Sequence, residues 1–139
     1  MKKDKQINGA VSLWIGNAPS RAELEEYVEI DYTTDGMSHL SKLADDFGTG
    51  FYDEDFMDTT FHEVGTRSLP LLLHRCSYAE LIIPKIVERC GEVLPMETNS
   101  AVLLYDFLHE DTSKPALDVG GRVKLRFMGS ITVDSPWPD

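Results

Sequence analysis

The residues best equipped for chemistry are the carboxylates of Asp53-Glu54-Asp55 with Asp58, a grouping that suits a hard cation. An EF-hand loop counted from Asp53 would need a glycine at its sixth position and a bidentate glutamate at its twelfth; Asp58 and Val64 stand there, so a calcium loop of that kind is excluded. The four histidines, His39, His62, His74 and His109, are scattered and share no His-x-x-x-His or His-Glu-x-x-His spacing. Isolated histidines of this kind serve as surface or satisfied structural residues. Cys76 and Cys90 lie on or beside apolar helical stretches, where burial as small hydrophobes outranks nucleophilic duty, and neither has metal-type spacing to a second Cys or His. Gly48-Thr-Gly50 lacks the rest of a phosphate-cradling loop and neighbours acids that repel phosphate. No spacing assembles a nucleophile, a base and an oxyanion donor. A small hydrolase using Asp or Glu with His62 or His109 is the minor alternative, and no metal or cofactor is expected.

Without catalysis, those carboxylates can still attract. The chain carries a net charge of -11, unevenly placed: residues 23–63 hold thirteen acids against one lysine, Lys42, while the remaining chain is close to neutral. Such concentration suits the steering of a cationic partner, although the run from Asp53 by composition alone also fits a solvated loop. Between Asp45 and Glu63 the acids alternate with Phe47, Phe51, Tyr52, Phe56 and Phe61, so one segment offers both rings to bury and charge to display. The expected partner-binding residues are Glu25, Glu26, Glu29, Asp45, Asp46, Tyr52, Asp53, Glu54, Asp55 and Asp58. An acidic chain with no basic cluster is a poor direct ligand for nucleic acid. Mimicry of nucleic acid toward another basic protein is a second binding reading.

The elements that must position these residues follow from periodicity. The chain reads as one domain spanning 1–139, with residues 1–9 and 134–139 as irregular tails. Ala10–Ile15 is apolar on both alternations and predicts a strand covered on both faces, ended by Gly16 and Asn17. Ser20 and Glu23 form a capping box ahead of a helix that buries Leu24, Tyr27 and Val28 and turns Glu25, Glu26 and Glu29 outward. Residues 38–47 read as a second helix, and 56–63 as a second strand. Ser68 caps a compact helix with Pro70 in its first turn; Ser77 and Glu80 suggest another capping box before an apolar helix stopped by Gly91 and kinked or restarted at Pro84. Ala101–Phe107 predicts a central strand, and Val123, Leu125 and Phe127 alternating with Arg122, Lys124 and Arg126 predict a strand with a wet cationic face. The order implies an α+β fold: a small mixed or antiparallel sheet of about four strands with helices packed largely on one face. Trp14 belongs in the core unless it emerges at a sheet face or edge, where it would act as an interface aromatic.

Several of these pieces together resemble the immunity protein 22 family of bacterial polymorphic toxin systems. They are Val11-Ser-Leu-Trp14-Ile-Gly16-Asn17, the following Ser-x-x-Glu helix with Asp31-Tyr32, the Asp46-Phe47 to Tyr52-Asp53-Glu54-Asp55-Phe56 segment, Ala101–Tyr105, and Phe127-Met-Gly129-Ser130. Trp-Ile-Gly-Asn and Tyr-Asp-Glu-Asp-Phe are the most specific of them. The resemblance implies a non-enzymatic antidote that binds and blocks a cognate toxin in contact-dependent competition, often a nuclease-type or other intracellular effector. Two cysteines do not make a disulfide framework and suggest a reducing compartment. With no clear signal peptide and no apolar run long enough to span a bilayer, the expected location is the cytoplasm, with no membrane partner.

Overall fold

The computed structural model describes residues 5–29, 43, 47, 56–109 and 123–133. Its elements, in chain order, are β1 (Lys5–Asn17), α1 (Arg21–Val28), β2 (Met57–Ser68), α2 (Leu69–Leu73), α3 (Ala79–Cys90), β3 (Val93–Leu108) and β4 (Lys124–Thr132). The four strands form one antiparallel sheet in the order β2-β3-β1-β4, so the two most apolar strands lie at its centre. The α+β class and the strand number agree with the reading from periodicity.

The placing of the helices differs from that reading. Along β1 and β3 successive residues point to opposite faces, and both sets are apolar, so the central pair must be covered twice. One cluster joins Trp14, Val102, Leu104, Phe107 and Leu125 to Leu24, Tyr27 and Val28 of α1, together with Leu43 and Phe47. The other joins Val11, Leu13, Ile15, Ala101, Leu103 and Tyr105 to Leu69, Leu72 and Leu73 of α2 and Ile82 and Ile86 of α3. Helices therefore pack on both sides. Leu43 and Phe47 are helical and buried, as expected of the 38–47 segment, whose other residues lie outside those described.

Local signals decide most boundaries. Ser20 caps α1 by accepting from the Glu23 amide at 3.2 Å, and Ser68 caps α2 by accepting from Leu71 at 3.2 Å. Gly91, at φ +88°, ends α3 as expected. β2 runs on to Ser68 and β3 starts at Val93, beyond the expected 56–63 and Ala101–Phe107, and three further readings are corrected. β1 begins at Lys5, inside the stretch expected to be an irregular tail, and continues the pairing with β3 at Lys5↔Leu108. The second capping box does not form: Tyr78, left-handed at φ 59°, occupies the N-cap of α3 and makes no side-chain cap bond. Pro84 sits inside α3, which runs on through it rather than restarting, and only Ile82 and Ile86 are fully buried, so α3 presents a narrower stripe to the core than its composition suggests.

Close approach between β1 and β4 explains one residue of the Trp-Ile-Gly-Asn motif. A Cβ built on Gly16 would stand 1.9 Å from the Lys124 carbonyl oxygen and 2.8 Å from the Leu125 Cα. Backbone atoms cannot rotate away as a side-chain tip can, so any larger residue forces β4 off β1. Gly16→Ala is expected to destabilise the fold by about 3 kcal/mol, the upper end for overpacking, seen as a lower urea midpoint at unchanged m.

Candidate functional site

α1 is placed by burial on one stripe and by one cation at its start. Leu24, Tyr27 and Val28 are buried against the sheet, and the Arg21 guanidinium donates to the Phe61 carbonyl at 3.2 Å and stands 5.9 Å over the Phe61 ring. The helix is thereby laid along β2, an edge strand of the sheet. Glu25, Glu26 and Glu29 are exposed, and no basic residue occupies the last turn. Carboxylates there oppose the helix dipole, which places its negative end at the C-terminus. With Ala22, Val28, Met57 and Thr59 they line an open groove of about 560 Å³: an apolar floor with an acidic rim.

Asp58 leaves that surface. Met57 and Phe61 pack with the α1-side cluster, so the alternation of β2 turns Asp58 to the opposite face. There its Oδ2 accepts from the Ser77 amide at 2.7 Å and lies 2.8 Å from the Tyr105 hydroxyl, which also lies 3.0 Å from the Ser77 carbonyl. A half-buried carboxylate held this way anchors the connection between α2 and α3 and presents no continuous face with Glu25, Glu26 and Glu29. The same bonds place the Ser77 backbone, and with Tyr78 at the N-cap the predicted capping box is lost. Asp45, Asp46, Tyr52, Asp53, Glu54 and Asp55 lie outside the described residues.

Beside Asp58 the titratable groups are held neutral. Burial pushes the Cys76 thiol up to about 11, opposed by its hydrogen bond with Tyr105 and reinforced by the Asp58 charge. Burial, followed by the nearby Cys76 and Asp58, holds the Tyr105 phenol well above its ordinary value. Cys90 is raised as well, chiefly by burial. Neither thiol is an activated nucleophile, since reactivity belongs to the thiolate.

The histidines do not converge. His62 Nε2 lies 3.1 Å from the Leu72 carbonyl and His74 Nδ1 lies 2.8 Å from that of Leu71, so both serve the C-terminal carbonyls of α2 while their rings stack at 5.9 Å. His109 is buried on the other side of the sheet, its ring 4.6 Å from Phe127 and 5.4 Å from Trp14. His62 and His109 thus stand on opposite faces and cannot address one substrate. Among the described residues no three His, Cys, Asp or Glu side chains are gathered as metal ligands. Trp14 is fully buried, with Phe47 at 5.8 Å and Phe127 at 5.0 Å, which settles it as core. Asn17 and Asn99, which residue type alone did not single out, fasten the end of β1: the Asn99 amide exchanges two 3.0 Å bonds with the backbone of Ala18, and Asn17 Nδ2 donates to the Glu97 carbonyl. Of the cationic row on β4, Lys124 is exposed and Arg126 half-buried, and Arg122 lies outside the described residues.

The acidic groove thus lies beside an edge strand, on a sheet whose described histidines, His62 and His109, lie against the end of α2 and in the core. The chain belongs to the Immunity protein 22 family, whose sequence pattern matches residues 11–134 of 139. Membership makes its role the neutralisation of a cognate toxin and its partner a toxin protein, and it favours a non-enzymatic action. A search of curated proteins finds no match, and neither does a search of solved structures. Among the described residues no helix is long and apolar enough to cross a membrane.

Two outcomes follow for the Asp58 anchor. In the unfolded chain Cys76 ionises near its ordinary 9.0, whereas in the fold it keeps its proton to about 11, and Tyr105 is shifted in the same direction. Raised folded values give stability that is complete below pH 9 and is lost as pH climbs toward 11; urea midpoints across that range should fall, less steeply in Cys76→Ala. Tyr105→Phe removes one of the two bonds to Asp58 Oδ2 and is expected to lower stability by about 1–3 kcal/mol in denaturant titration.

Proposed function

We propose that the chain blocks its toxin by docking an acidic surface, built on Glu25, Glu26 and Glu29 and extended by Asp45, Asp46, Tyr52, Asp53, Glu54 and Asp55, onto a basic substrate-binding cleft. The observation that carries the reading is the placing of three exposed glutamates around one groove on a helix whose own stability they oppose. Glu25 and Glu29, one turn apart, repel by about 0.2–0.5 kcal/mol, and their position near the helix C-terminus adds to that cost. A helix selected for stability alone would carry lysine or arginine there. Glutamates beside the half-buried Met57 match a lysine or arginine side chain, whose stem is apolar and whose head is charged.

A toxin with a basic cleft is one that handles a polyanion, so a nuclease-type effector is the class that fits. Steering by opposite charge raises the encounter rate and gives it a steep salt dependence. Asp58, whose carboxylate is bonded to Ser77 and Tyr105, is left out of the proposed surface.

The test uses the purified toxic module of the cognate toxin. Glu25→Lys with Glu29→Lys is expected to slow association at low salt by about tenfold or more and to flatten the dependence of the on-rate on ionic strength. Asp53→Lys with Asp55→Lys is expected to act in the same direction. Unchanged association and unchanged protection of cells in both double variants would refute the acidic docking surface.

A further inference from the structure

Three of the most exposed large apolar side chains lie where β2 and β3 run past the rest of the sheet. The pairing of β1 with β3 ends at Gly16 opposite Ser100, so Val93–Asn99 has β2 as its strand neighbour among the described residues. In this overhang both strands bulge. Between Phe61↔Ser100 and Thr66↔Thr98, β2 sets His62–Gly65 against Asn99 alone; between Thr66↔Thr98 and Ser68↔Val93, β3 sets Leu94–Glu97 against Arg67 alone. The two insertions cancel in register, so the arm returns to its original pairing with one loop of extra chain thrown out from each strand. Val64 stands on the first bulge and Met96 on the second, 81% and 55% exposed, and Val93, where pairing resumes opposite Ser68, is 74% exposed.

These bulges are built features. The Arg67 guanidinium donates to the Leu94 carbonyl at 3.3 Å and to the Pro95 carbonyl, the Thr98 hydroxyl donates to the Thr66 carbonyl at 3.2 Å, and the Thr66 hydroxyl accepts from Ser68 at 3.1 Å. Bulges of this kind re-aim side chains, and Pro95 withholds an amide donor from the exposed strand. Glu63, Glu92 and Glu97, each one residue along the chain from one of these side chains, are all exposed, while the nearby guanidiniums of Arg21 and Arg67, bonded to strand carbonyls, offset part of their charge. An apolar centre with a charged rim is the anatomy of a protein interface.

The sign of that rim selects the occupant. A second copy of the chain would bring carboxylates against carboxylates, whereas a partner with a cationic rim would pair with them. The arm also adjoins the groove of α1: Arg21 is bonded to Phe61, the last paired residue before the first bulge, and Val64 follows Thr59 of the groove by roughly 17 Å of strand. One interface of ordinary size spans both.

We propose that the bulged arm of Val64, Val93 and Met96 is the apolar anchor by which the chain holds its toxin. The inference rests on the reading that the toxin presents a cationic surface, and it assigns residence to the arm where α1 governs encounter. Desolvated apolar contacts act mainly on dissociation, and exposed charges act mainly on association, so the two parts are separable by kinetics.

The experiment is surface-binding kinetics of the toxin module against Val64→Ser with Met96→Ser, alongside Glu25→Lys with Glu29→Lys. Both residues of the arm pair are exposed in the free chain, so the thermal midpoint should stay within a few degrees of the parent, and Val64→Ile with Met96→Leu controls for the backbone. The expected result is faster dissociation that raises Kd by about tenfold or more, with the on-rate and its salt slope unchanged and the conservative pair close to the parent. A Kd within about twofold of the parent would overturn the anchor. So would sedimentation of the chain alone as a dimer that the serine pair dissociates, because the arm would then be a self-association surface. If the α1 pair leaves association untouched while the arm pair still loses toxin, the acidic docking surface fails and the anchor stands.

Discussion

The constraint on which the rest of the molecule depends is the pairing of two strands that are apolar on both faces. From Val11 to Ile15 and from Ala101 to Tyr105, β1 and β3 bury nearly every side chain, and each pairs with the other in unbroken register from Val11↔Tyr105 to Gly16↔Ser100. Such a ribbon cannot leave one face to water. At about 25 cal/mol per Å² of apolar surface, uncovering either side would cost more than a domain of this size has in reserve. Both helical layers follow from this, and they divide the labour. The layer of α2 and α3 is closed by local caps and by the Asp58–Ser77–Tyr105 anchor, while the layer of α1 carries the acids.

Polar groups within this apolar frame have identifiable tasks. Ser12 interrupts the apolar run of β1, yet it is fully buried: its hydroxyl donates to the Phe107 carbonyl at 2.8 Å, accepts from the His109 amide at 2.9 Å and lies 2.8 Å from the Ser130 hydroxyl. These bonds satisfy backbone groups where β1 bulges opposite Asp106, itself at φ 57°, and where Gly9, at φ +86°, donates its amide to the Asp106 carboxylate. A Cβ on Gly9 would stand 2.7 Å from the Val133 carbonyl oxygen, so glycine there meets both a backbone angle and a close approach. The polar residues of the sheet thus stitch its irregular corner and do not open a site.

Signals that act within one turn were legible in the sequence, and those that depend on distant pairing were not. Ser20, Ser68 and Gly91 mark helix ends because capping is a local bargain between a side chain and amides three or four residues away. Ser77 has the same local pattern and fails, because its backbone is claimed by Asp58 and Tyr105, residues 19 and 28 positions away. The first half of β3 was hidden by Pro95 and by the polar run Glu97-Thr98-Asn99, which break the alternation that betrays a strand; its order comes from Arg67 and from the Asn99 pairing with Ala18. The acidic surface was legible as charge but not as geometry. Whether Asp58 joins Glu25 or turns away is decided by the parity of β2, and a shift of one residue in that strand would reverse the answer.

The acids on α1 persist because the buried face of the helix outweighs them. Leu24, Tyr27 and Val28 are buried almost completely, and each contributes about 1.5–3 kcal/mol by leaving water. Repulsion between Glu25 and Glu29, with the unfavourable dipole, opposes this by about 1 kcal/mol in total. The inner face of the helix therefore outweighs the outer one severalfold, and the outer face is released from any duty to stability. Charge alone, however, would give a complex that forms quickly and dissociates quickly, because exposed ion pairs contribute little once formed. An antidote must outlast the toxin it holds, so long-range attraction has to be joined to desolvated apolar contact. In the groove Val28 is buried and Met57 half-buried by their own fold, whereas Val64, Val93 and Met96 stand clear of it. In the proposed complex, a sheet that lets two strands overrun their neighbours and bulge outward offers such contact without disturbing the core, since the register is restored on either side of the overhang.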